Sequence, residues 1–230
     1  MAKHIGIVGC SAEGAALCYR TICSEAPKIM GEHRHPEITM HTHPLADYLG
    51  PIRRGDWEKV ALIMLSSASK LAVAGADFAI CPDNTIHQAF EIVKGLSPIP
   101  WLHIAEAVAE EAKKRGFVRL AVLGTKYLMT GPVYPALLRR FGISAEIPEG
   151  PVREKMDGII FKELVNGIFL EPSRLFFNQV MDTMKQRDCD AVVLGCTEIP
   201  LIVDPGDTPL PTLDSTRLLA RAALRKAIEA

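Results

Sequence analysis

Cys196 directly follows an apolar run, among residue types that are suited to chemistry. The run at 191–194 is Ala-Val-Val-Leu, and Gly-Cys-Thr-Glu follows it at 195–198. A run of this kind is typical of a buried parallel strand. Open α/β sheets bind ligands beyond the carboxyl ends of their strands. We therefore predict that Cys196 is a catalytic thiol rather than an inert buried one, and that the backbone at Gly195 approaches the ligand closely.

Asp83 also follows an apolar run. Residues 76–81, Ala-Asp-Phe-Ala-Ile-Cys, predict a strand, and the polar cluster Pro-Asp-Asn-Thr-Ile-His comes next. Asp83 is either an acid/base group of a site or the N-cap of the helix that follows, and the two roles are compatible. His87, four residues later, is either a proton partner in the site or a histidine packed in the first helical turn.

Both runs fall at matching places in two similar halves of the chain. Residues 5–9, Ile-Gly-Ile-Val-Gly, match Leu-Ala-Val-Leu-Gly at 120–124, 115 positions later, and Cys196 follows Asp83 by 113 positions. Such a repeat predicts two small α/β units. If the halves face each other across a pseudo-twofold axis, Asp83 and Cys196 flank one small substrate. A proton can then move between the two faces of one carbon.

The rest of the pattern is that of an α/β protein. Short apolar runs alternate with stretches whose apolar residues recur at helical spacing. The predicted strands lie at 5–8, 37–43, 76–81 and 118–123 and before Cys196. The predicted helices follow Ser11 and lie at 57–72, 104–115, 132–141, 154–166, 172–187 and from 214 to the end. The stretch 44–56 contains Pro and Gly and is predicted to be a loop.

Composition and charge exclude several kinds of protein. The 230 residues are 48% hydrophobic, enough for a sizeable core without disulfides or metal. Lys+Arg 26 against Asp+Glu 27 gives a net charge of -1, which argues against nucleic acid or an acidic membrane as a partner. No apolar run reaches the roughly 18 residues of a membrane span. The chain has no Gly-x-Gly-x-x-Gly fingerprint and no Walker motif.

The six cysteines are predicted to be reduced thiols. No pair is spaced Cys-x-x-Cys, which argues against zinc-ribbon and thioredoxin-type sites. The N-terminus begins as a strand with no apparent signal peptide, so we expect a cytoplasmic protein. No carboxylate or cysteine is spaced to complete a metal-ligand set with the histidines, and no metal site is predicted. Those histidines are His33, His35, His41 and His43.

Several stretches, taken together, resemble the cofactor-independent aspartate/glutamate racemase superfamily over nearly the whole chain. The most specific is the pair Asn-Thr-x-His and Gly-Cys-Thr-Glu, in that order and spacing. The stretches lie at 5–9, 35–38, 55–57, 84–87, 123–125, 195–198 and 213–217.

The resemblance implies a fold and a chemistry. The fold is two pseudosymmetric open-sheet α/β domains, often paired as a homodimer, with the active site in the cleft between the domains. The expected first domain comprises 1–102 plus 213–230, because the family's last helix returns to it, and the second comprises 103–212. In the family's chemistry one cysteine thiolate removes the α-proton and a second returns a proton from the opposite face. Neither pyridoxal phosphate nor a metal takes part, so no cofactor is expected.

The sequence departs from the family at the first catalytic position. The family has Pro-Cys-Asn-Thr-x-His, whereas this chain has Asp83 in place of that cysteine. Cys81 lies two residues earlier, inside the predicted strand, and is not expected to substitute. Cys10-Ser11-Ala12 stands where aspartate racemases usually carry Gly-Met-Gly, and Lys162 is out of register with the lysine that family members carry nearby.

Other polar residues near these strand ends are candidates for binding the substrate. Asn84, Thr85 and Thr197 either donate hydrogen bonds to a substrate carboxylate or cap helices. Ser11, after the first strand, and Thr125, after the matching strand of the second half, are further candidates. Glu198 either orients a substrate ammonium group or lies in a first helical turn. Arg53 either clamps a distal carboxylate, as an arginine of this loop does in aspartate racemases, or is solvated.

Three functional hypotheses follow. The first is an isomerase that racemises an amino acid, expected to be an acidic one, with the α-proton moving between Cys196 and Asp83. The second, a one-cysteine isomerase or decarboxylase of a small dicarboxylate, arises because a carboxylate is a weaker base than a thiol by roughly 4–5 pKa units, about 6 kcal/mol. The third is a small-anion binding protein without turnover.

Overall fold

The structure is a computed structural model that describes residues 2–229. The chain forms two compact units, one comprising residues 1–107 with 216–230 and the other comprising 108–215. The first unit is therefore built from both ends of the chain, and the second is continuous. The domain boundaries expected from the sequence, 1–102 plus 213–230 and 103–212, stay a prediction about the folding domains.

Strands and helices alternate along the chain. The first half contains β1 (Ile5–Gly9), α1 (Ala12–Glu25), α2 (Pro27–Met30), β2 (Ile38–Thr42), α3 (Leu45–Arg54), α4 (Trp57–Val73), β3 (Phe78–Ile80), α5 (Phe90–Leu96) and α6 (Ile104–Lys114). The second contains β4 (Arg119–Leu123), α7 (Lys126–Thr130), α8 (Val133–Arg140), β5 (Ser144–Glu146), α9 (Gly150–Lys162), α10 (Glu171–Gln186), β6 (Ala191–Leu194), α11 (Ile199–Ile202), β7 (Thr212–Asp214) and α12 (Ser215–Ile228). Among residues 2–229, no helix has both the length and the apolar character of a membrane span.

The first unit is built on a three-stranded parallel sheet in the order β2-β1-β3. The central strand β1 is buried along its whole length, which explains its continuous apolar sequence. Ile5 and Ile7 face a core to which α1 contributes Cys18 and Ile22. The helix α12 completes that core with Leu219, Ala220, Ala223, Leu224 and Ala227. The last helix of the chain therefore supplies much of the apolar cover of the first sheet.

The second unit is built on a four-stranded parallel sheet in the order β5-β4-β6-β7. Its core joins Leu123 and Leu194 to Met156 and Ile160 of α9 and to Phe177 of α10. The strands β4 and β6 occupy the places that β1 and β3 occupy in the first sheet. The predicted α/β fold with two similar parallel-sheet halves is confirmed, and β7 is an additional edge strand.

The prediction of a loop at 44–56 is wrong, because α3 spans Leu45–Arg54. Tyr48, Pro51 and Ile52 are buried at helical spacing. Pro51 removes one intrahelical hydrogen bond, and the burial of this apolar face outweighs that loss. Gly55 ends the helix in the left-handed conformation, with φ of 70°.

Candidate active site

The carboxyl ends of β1 and β3 bring the polar residues of the first unit to one edge of its sheet. Ile7 pairs with Ile80 in parallel register, so the residues that follow the two strands leave the sheet on the same side. Ser11 follows β1, and Asp83 follows β3. Asp83 is half-buried, a placement that suits a group meeting a small ligand.

The hydroxyl of Ser11 caps α1. Its Oγ accepts a hydrogen bond from Gly14 N at 3.3 Å, which satisfies one of the free N–H groups at the helix start. The corresponding alternative for Asp83 is not supported. The N-cap position of the short 3-10 helix Thr85–Ala89 is Asn84, not Asp83, and no side chain caps that helix. The N-cap residue of that helix is therefore Asn84 rather than Asp83.

Asn84, Thr85 and Thr197 are all buried. A five-residue 3-10 helix follows Asn84 and runs directly into α5, whereas α11, after Glu198, has four residues. The short α11 contributes little macrodipole. Any attraction of Thr197 for a carboxylate therefore rests on its own N–H and O–H groups.

His87 is packed in the protein. Its Nε2 donates a hydrogen bond to the Cys81 carbonyl at 3.0 Å, and its ring stacks on Phe90 with centroids 5.4 Å apart. The side chain is 3% exposed. Burial lowers the pKa of the imidazole to about 4, while the hydrogen bond to Cys81 acts in the opposite direction. These contacts favour the packed interpretation over a proton partner, and they fix the backbone two residues before Asp83.

We expect the stability of the protein to fall as the pH drops from about 6.5 to 4. The unfolded state binds a proton on His87 near pH 6.5 and the folded state only near 4, so protons favour unfolding in this window. The difference, about 2.5 pKa units, corresponds to about 3 kcal/mol at its full extent. Urea unfolding at pH 7, 6, 5 and 4 measures it.

The variant His87→Gln is the matched control for that measurement. Its side-chain amide can still donate to the Cys81 carbonyl but does not titrate, so its stability should fall less steeply between pH 6.5 and 4. Equal slopes for the two proteins would contradict the assignment. Other titrating groups are common to both proteins and cancel in the difference.

The Cys81 thiol is buried and protonated. Its Sγ points toward the Asp83 carbonyl at 4.0 Å, and the residue is 0% exposed. Burial raises the pKa of this thiol well above its usual value, and the charge of Asp83 acts in the same direction. Cys81 is thus unsuited to supply the missing second thiolate.

Tyr48 is a residue that sequence reasoning missed. It belongs to α3 and is 0% exposed. Burial raises the pKa of the phenol, Cys81, Cys10 and Asp83 act in the same direction, and a hydrogen bond with Ser67 acts in the opposite one. Helical spacing of Tyr48 with Pro51 and Ile52 was the signal that could have found it.

In the second unit, two glycines let β4 and β6 end side by side. Gly195 N donates to the Leu123 carbonyl at 2.7 Å. A Cβ on Gly195 would lie 2.5 Å from Leu128 Cδ2 and 2.8 Å from that same carbonyl oxygen. A Cβ on Gly124 would meet Leu128 Cδ2 at 2.8 Å. Glycine at 195 is therefore required by close backbone contact within the protein.

Cys196, Thr197 and Glu198 form a compact hydrogen-bonded cluster. The Cys196 Sγ donates to Glu198 Oε2 at 2.9 Å, and the Thr197 Oγ1 donates to the same oxygen at 2.7 Å. The three residues are 8%, 3% and 3% exposed, respectively. The Glu198 carboxylate is placed to accept the thiol proton, and because a carboxylate is a weaker base than a thiolate by roughly 4–5 pKa units, that transfer costs about 6 kcal/mol. The sequence indicated Glu198 as a candidate for binding the substrate, but it did not predict this contact with Cys196.

Thr125 caps α7, because its Oγ1 accepts from Leu128 N at 3.2 Å. The neighbouring Lys126 ammonium is bound to Glu154 of α9 at 3.2 Å. Hydrogen bonding to Glu154 raises the pKa of Lys126. Thr125 thus has a structural role at the end of β4, as Ser11 has at the end of β1.

Arg53 lies in the last turn of α3 and is exposed, as is Arg54. The structure does not bring Arg53 to the buried face that holds Tyr48. His41 and His43 contact the hydroxyls of Ser67 and Ser66 at 3.0 and 3.1 Å. Within residues 2–229, no three His, Cys, Asp or Glu side chains are grouped so as to hold a metal ion.

Comparison with known proteins identifies a family that matches this chain. The model of a family described as Asp/Glu/hydantoin racemase matches residues 5–223. The broad specificity amino-acid racemase RacX of Bacillus subtilis (strain 168) is 22% identical over 194 residues, which cover 83% of this chain and 81% of RacX.

Solved structures are similar over the whole chain. A protein from Yersinia pestis, assigned provisionally to the Asp/Glu racemases, is 30% identical with a TM-score of 0.89, and the match covers 99% of this chain and 100% of that one. An aspartate racemase homologue from Pyrococcus horikoshii OT3 is 29% identical with a TM-score of 0.85, covering 100% of both chains. The described fold is thus that of these proteins.

Proposed function

The chain belongs to the Asp/Glu/hydantoin racemase family, and on that premise we propose that it racemises an amino acid without a cofactor, by moving the α-proton between Cys196 and Asp83. Its homologues are amino-acid racemases, which makes it an enzyme of the isomerase class. The amino acid is a small-molecule substrate. The finer assignment of Cys196 and Asp83 as the two acid/base groups is the proposal.

The observation that carries the proposal is the contact between Cys196 and Glu198. Ionising the thiol requires an acceptor for its proton, and Glu198 Oε2 lies 2.9 Å from Sγ. Both groups are more than nine-tenths buried, so no bulk water competes for the contact. Thr197 donates to the same oxygen and holds the carboxylate in place.

The proposed reaction has three proton transfers. The Cys196 thiol passes its proton to Glu198 and becomes a thiolate. The thiolate then takes the α-proton, and the electron pair of the C–H bond stays on the substrate as a carbanion. Protonated Asp83 gives its proton to the opposite face of that carbon and becomes a carboxylate. The reverse direction uses the same groups with their roles exchanged.

Asp83 is the group whose required protonation state is the less favourable one in this mechanism. An ordinary carboxyl group is ionised at pH 7, and holding it protonated costs about 4 kcal/mol. Desolvation in a closed site lowers that cost. We therefore propose that kcat differs between the two directions of racemisation, because a thiol and a carboxyl group differ in acidity.

Two further expectations belong to the proposal. The enzyme works in the cytoplasm, where thiols stay reduced, and the cysteines within residues 2–229 form no disulfide. It also works as a homodimer, as the family resemblance implies. RacX is described as having broad specificity, which supports testing several amino acids rather than aspartate and glutamate alone.

Deuterium incorporation at Cα tests the function. Each enantiomer of aspartate, glutamate, asparagine, glutamine and alanine is incubated with the enzyme in D2O, and the recovered substrate and the product are analysed separately. If one group removes the α-proton and a second group, carrying one proton from solvent, protonates the opposite face, deuterium should appear in the product. The recovered substrate should stay protiated early in the reaction. If none of these amino acids exchanged its α-proton, the proposal would be wrong.

The variant Asp83→Asn tests the second group. An amide cannot supply the proton, so inversion should fall by about 10³-fold, within the range of general acid catalysis. Removal of the α-proton by Cys196 should persist, and deuterium should then enter the recovered substrate. Normal inversion by Asp83→Asn would exclude Asp83 as the acid.

The variant Glu198→Gln separates two roles of Glu198. As the acceptor of the thiol proton, Glu198 acts on the chemical step, so kcat should fall about 10²-fold with little change in KM. As a ligand of the substrate ammonium, it would act on binding, and KM would rise instead. The variant Thr197→Val, which removes only the hydroxyl contact, is the comparison and should lower kcat by much less.

One observation favours a second candidate function. Asp83 stands where the family has a cysteine, and a reaction that needs one thiol would not require a second. This candidate is an isomerase or decarboxylase of a small dicarboxylate. Turnover of maleate or an arylmalonate, without exchange at Cα of any amino acid, would favour it over racemisation.

A further inference from the structure

Cys10 directly follows β1, at the edge of the first sheet that also holds Asp83. The residue is 5% exposed, close to the 8% of Cys196. Ile7 pairs with Ile80 in the parallel register of β1 and β3, and Cys10 and Asp83 each come three residues after that pair. Neighbouring strands of a sheet lie only about 4.8 Å apart. A thiol and a carboxylate thus follow neighbouring strands at the same level of the sheet.

The side chain of Cys10 continues the face of the sheet that α4 covers. Side chains alternate between the two faces along a strand. Ile7 lies in the core that α1 and α12 form with the sheet. A Cβ on Gly6 would instead meet Leu71 Cδ1 of α4, at 3.1 Å. Cys10, three positions after Ile7 and four after Gly6, therefore follows the pattern of Gly6.

Asp83 belongs to the same face of the sheet as Cys10. Ile80 lies in the core with α1 and α12, and three positions of alternation take Asp83 to the opposite face. The helix α3 packs against α4. Burial raises the pKa of the Tyr48 phenol of α3, and the groups that raise it further include Cys10 and Asp83. Strand register and side-chain alternation thus place the Cys10 thiol near the Asp83 carboxylate, and this shared influence supports that placement.

The same two chemical groups meet in the second unit, where the Cys196 Sγ donates to Glu198 Oε2 at 2.9 Å. The first unit has a thiol after β1 and a carboxylate after β3. Each unit therefore offers one thiol and one carboxylate at its strand ends. A thiolate is a stronger base than a carboxylate by roughly 4–5 pKa units. The thiol is thus the member of each pair that is better suited to exchange a proton with carbon.

We propose that Cys10 is the catalytic thiol of the first unit, that its Sγ exchanges a proton with Cα, and that Asp83 supplies and takes back the proton of that sulfur. The inference rests on the proposed racemisation and refines one step of it, because Asp83 then acts on the carbon through Cys10. It provides a thiol for each face of the substrate, although an aspartate stands at the family's first catalytic position.

The refined step moves two protons in sequence. As Cys10 protonates the carbanion, a C–H bond forms and the S–H bond breaks, and the electron pair of the S–H bond stays on sulfur. Sulfur then takes the proton of the Asp83 carboxyl group, which is left as a carboxylate. In the opposite direction Asp83 accepts the thiol proton. The thiolate then removes the α-proton, and the electron pair of that C–H bond stays on carbon.

Replacing Cys10 by alanine tests the thiol with both enantiomers of the best substrate among aspartate, glutamate, asparagine, glutamine and alanine. Inversion in D2O should fall about 10²-fold in both directions, within the range of acid–base catalysis. The enantiomer whose α-proton Cys196 removes should still take up deuterium in the recovered substrate, whereas the other enantiomer should not. Equal loss of exchange with both enantiomers would indicate a structural role and would overturn the inference.

The variant Cys10→Ser separates catalysis from the positioning of Asp83. Serine keeps a hydroxyl that can donate to the carboxylate, but it is far less acidic than a thiol and cannot become the base. The serine variant should therefore be as slow as the alanine variant. Inversion within about twofold of the natural rate in either variant would overturn the inference and leave the racemase function standing, with Asp83 acting directly. Absence of exchange by the natural protein with every amino acid would overturn the function, and this inference with it.

Two controls accompany these variants, and urea unfolding shows whether each protein is folded. Cys18→Ser changes another buried thiol of the first unit, in the core with α1 and α12, and should leave inversion within about twofold because it acts on stability alone. The double variant Cys10→Ala with Asp83→Asn should match Asp83→Asn within about threefold, because residues that act as a unit do not lose activity additively. Multiplied losses would show two independent groups and overturn the pairing.

Discussion

Replacing Cys196 by serine should abolish racemisation, with a loss of at least about 10³-fold in exchange at Cα. A serine hydroxyl is far less acidic than a thiol, so it cannot become the base that removes the α-proton. The oxygen can still donate to Glu198, where Sγ now donates at 2.9 Å. The fold should therefore be kept, and urea unfolding of Cys196→Ser should show a loss of about 0.5–3 kcal/mol, as for a typical substitution of a buried residue.

The variant Cys23→Ser is the matched control. Cys23 is a half-buried thiol on α1 and lies outside the strand ends, so its replacement should leave exchange within about twofold, as for a surface change. Loss of activity in Cys196→Ser with retention in Cys23→Ser assigns the chemistry to one thiol. Full activity in Cys196→Ser would show that the proposed mechanism is wrong.

Replacing Gly195 by alanine should destabilise the protein by about 3 kcal/mol, near the upper end for overpacking. The added Cβ would lie 2.8 Å from the Leu123 carbonyl oxygen, a backbone atom that cannot turn away as a flexible side chain does. It would also displace the hydrogen bond of Gly195 N to that oxygen at 2.7 Å. Cys196 follows directly, so activity should fall as well. Urea unfolding and Cα exchange measure the two effects.

The variant Gly158→Ala distinguishes this clash from a general intolerance of alanine. Gly158 lies within α9, and a Cβ there would meet nothing within 4 Å. Alanine should therefore stabilise the protein by about 0.5–1 kcal/mol through helix propensity. A Gly195→Ala protein as stable as the natural one would contradict the close fit of β4 and β6.

Period and composition were enough to predict β1, β2, β3, β4 and β6 and the position of Cys196 after β6, but not the edge strands β5 and β7. Four strands, β1, β3, β4 and β6, are buried on both faces. Their sequences are therefore continuous apolar runs, which indicate buried parallel strands. The two central pairs recur at nearly the same separation, and that recurrence predicted two similar halves. Cys196 was predicted because the polar residues start where the apolar run stops.

The side-chain contacts of the site could not be predicted in the same way. Pro and Gly in the stretch 44–56 favoured a loop, yet the buried face of Tyr48 and Ile52 forms a helix, because tertiary packing overrides local propensity. The role of His87 depended on the Cys81 carbonyl, a backbone group whose position no residue pattern records. The contact of Glu198 with Cys196 depends likewise on the backbone turn after β6, which the residue types alone do not specify.

The return of α12 to the first unit has a consequence for biosynthesis. Domains generally fold as units as they leave the ribosome, the N-terminal one first. Here the core around Ile5 and Ile7 lacks Leu219, Ala223 and Leu224 until α12 has been synthesised. The continuous unit 108–215 has all of its own residues earlier. Maturation of the first sheet therefore waits for the synthesis of α12, and a nascent polypeptide stalled before α12 would expose the apolar surface that chaperones recognise.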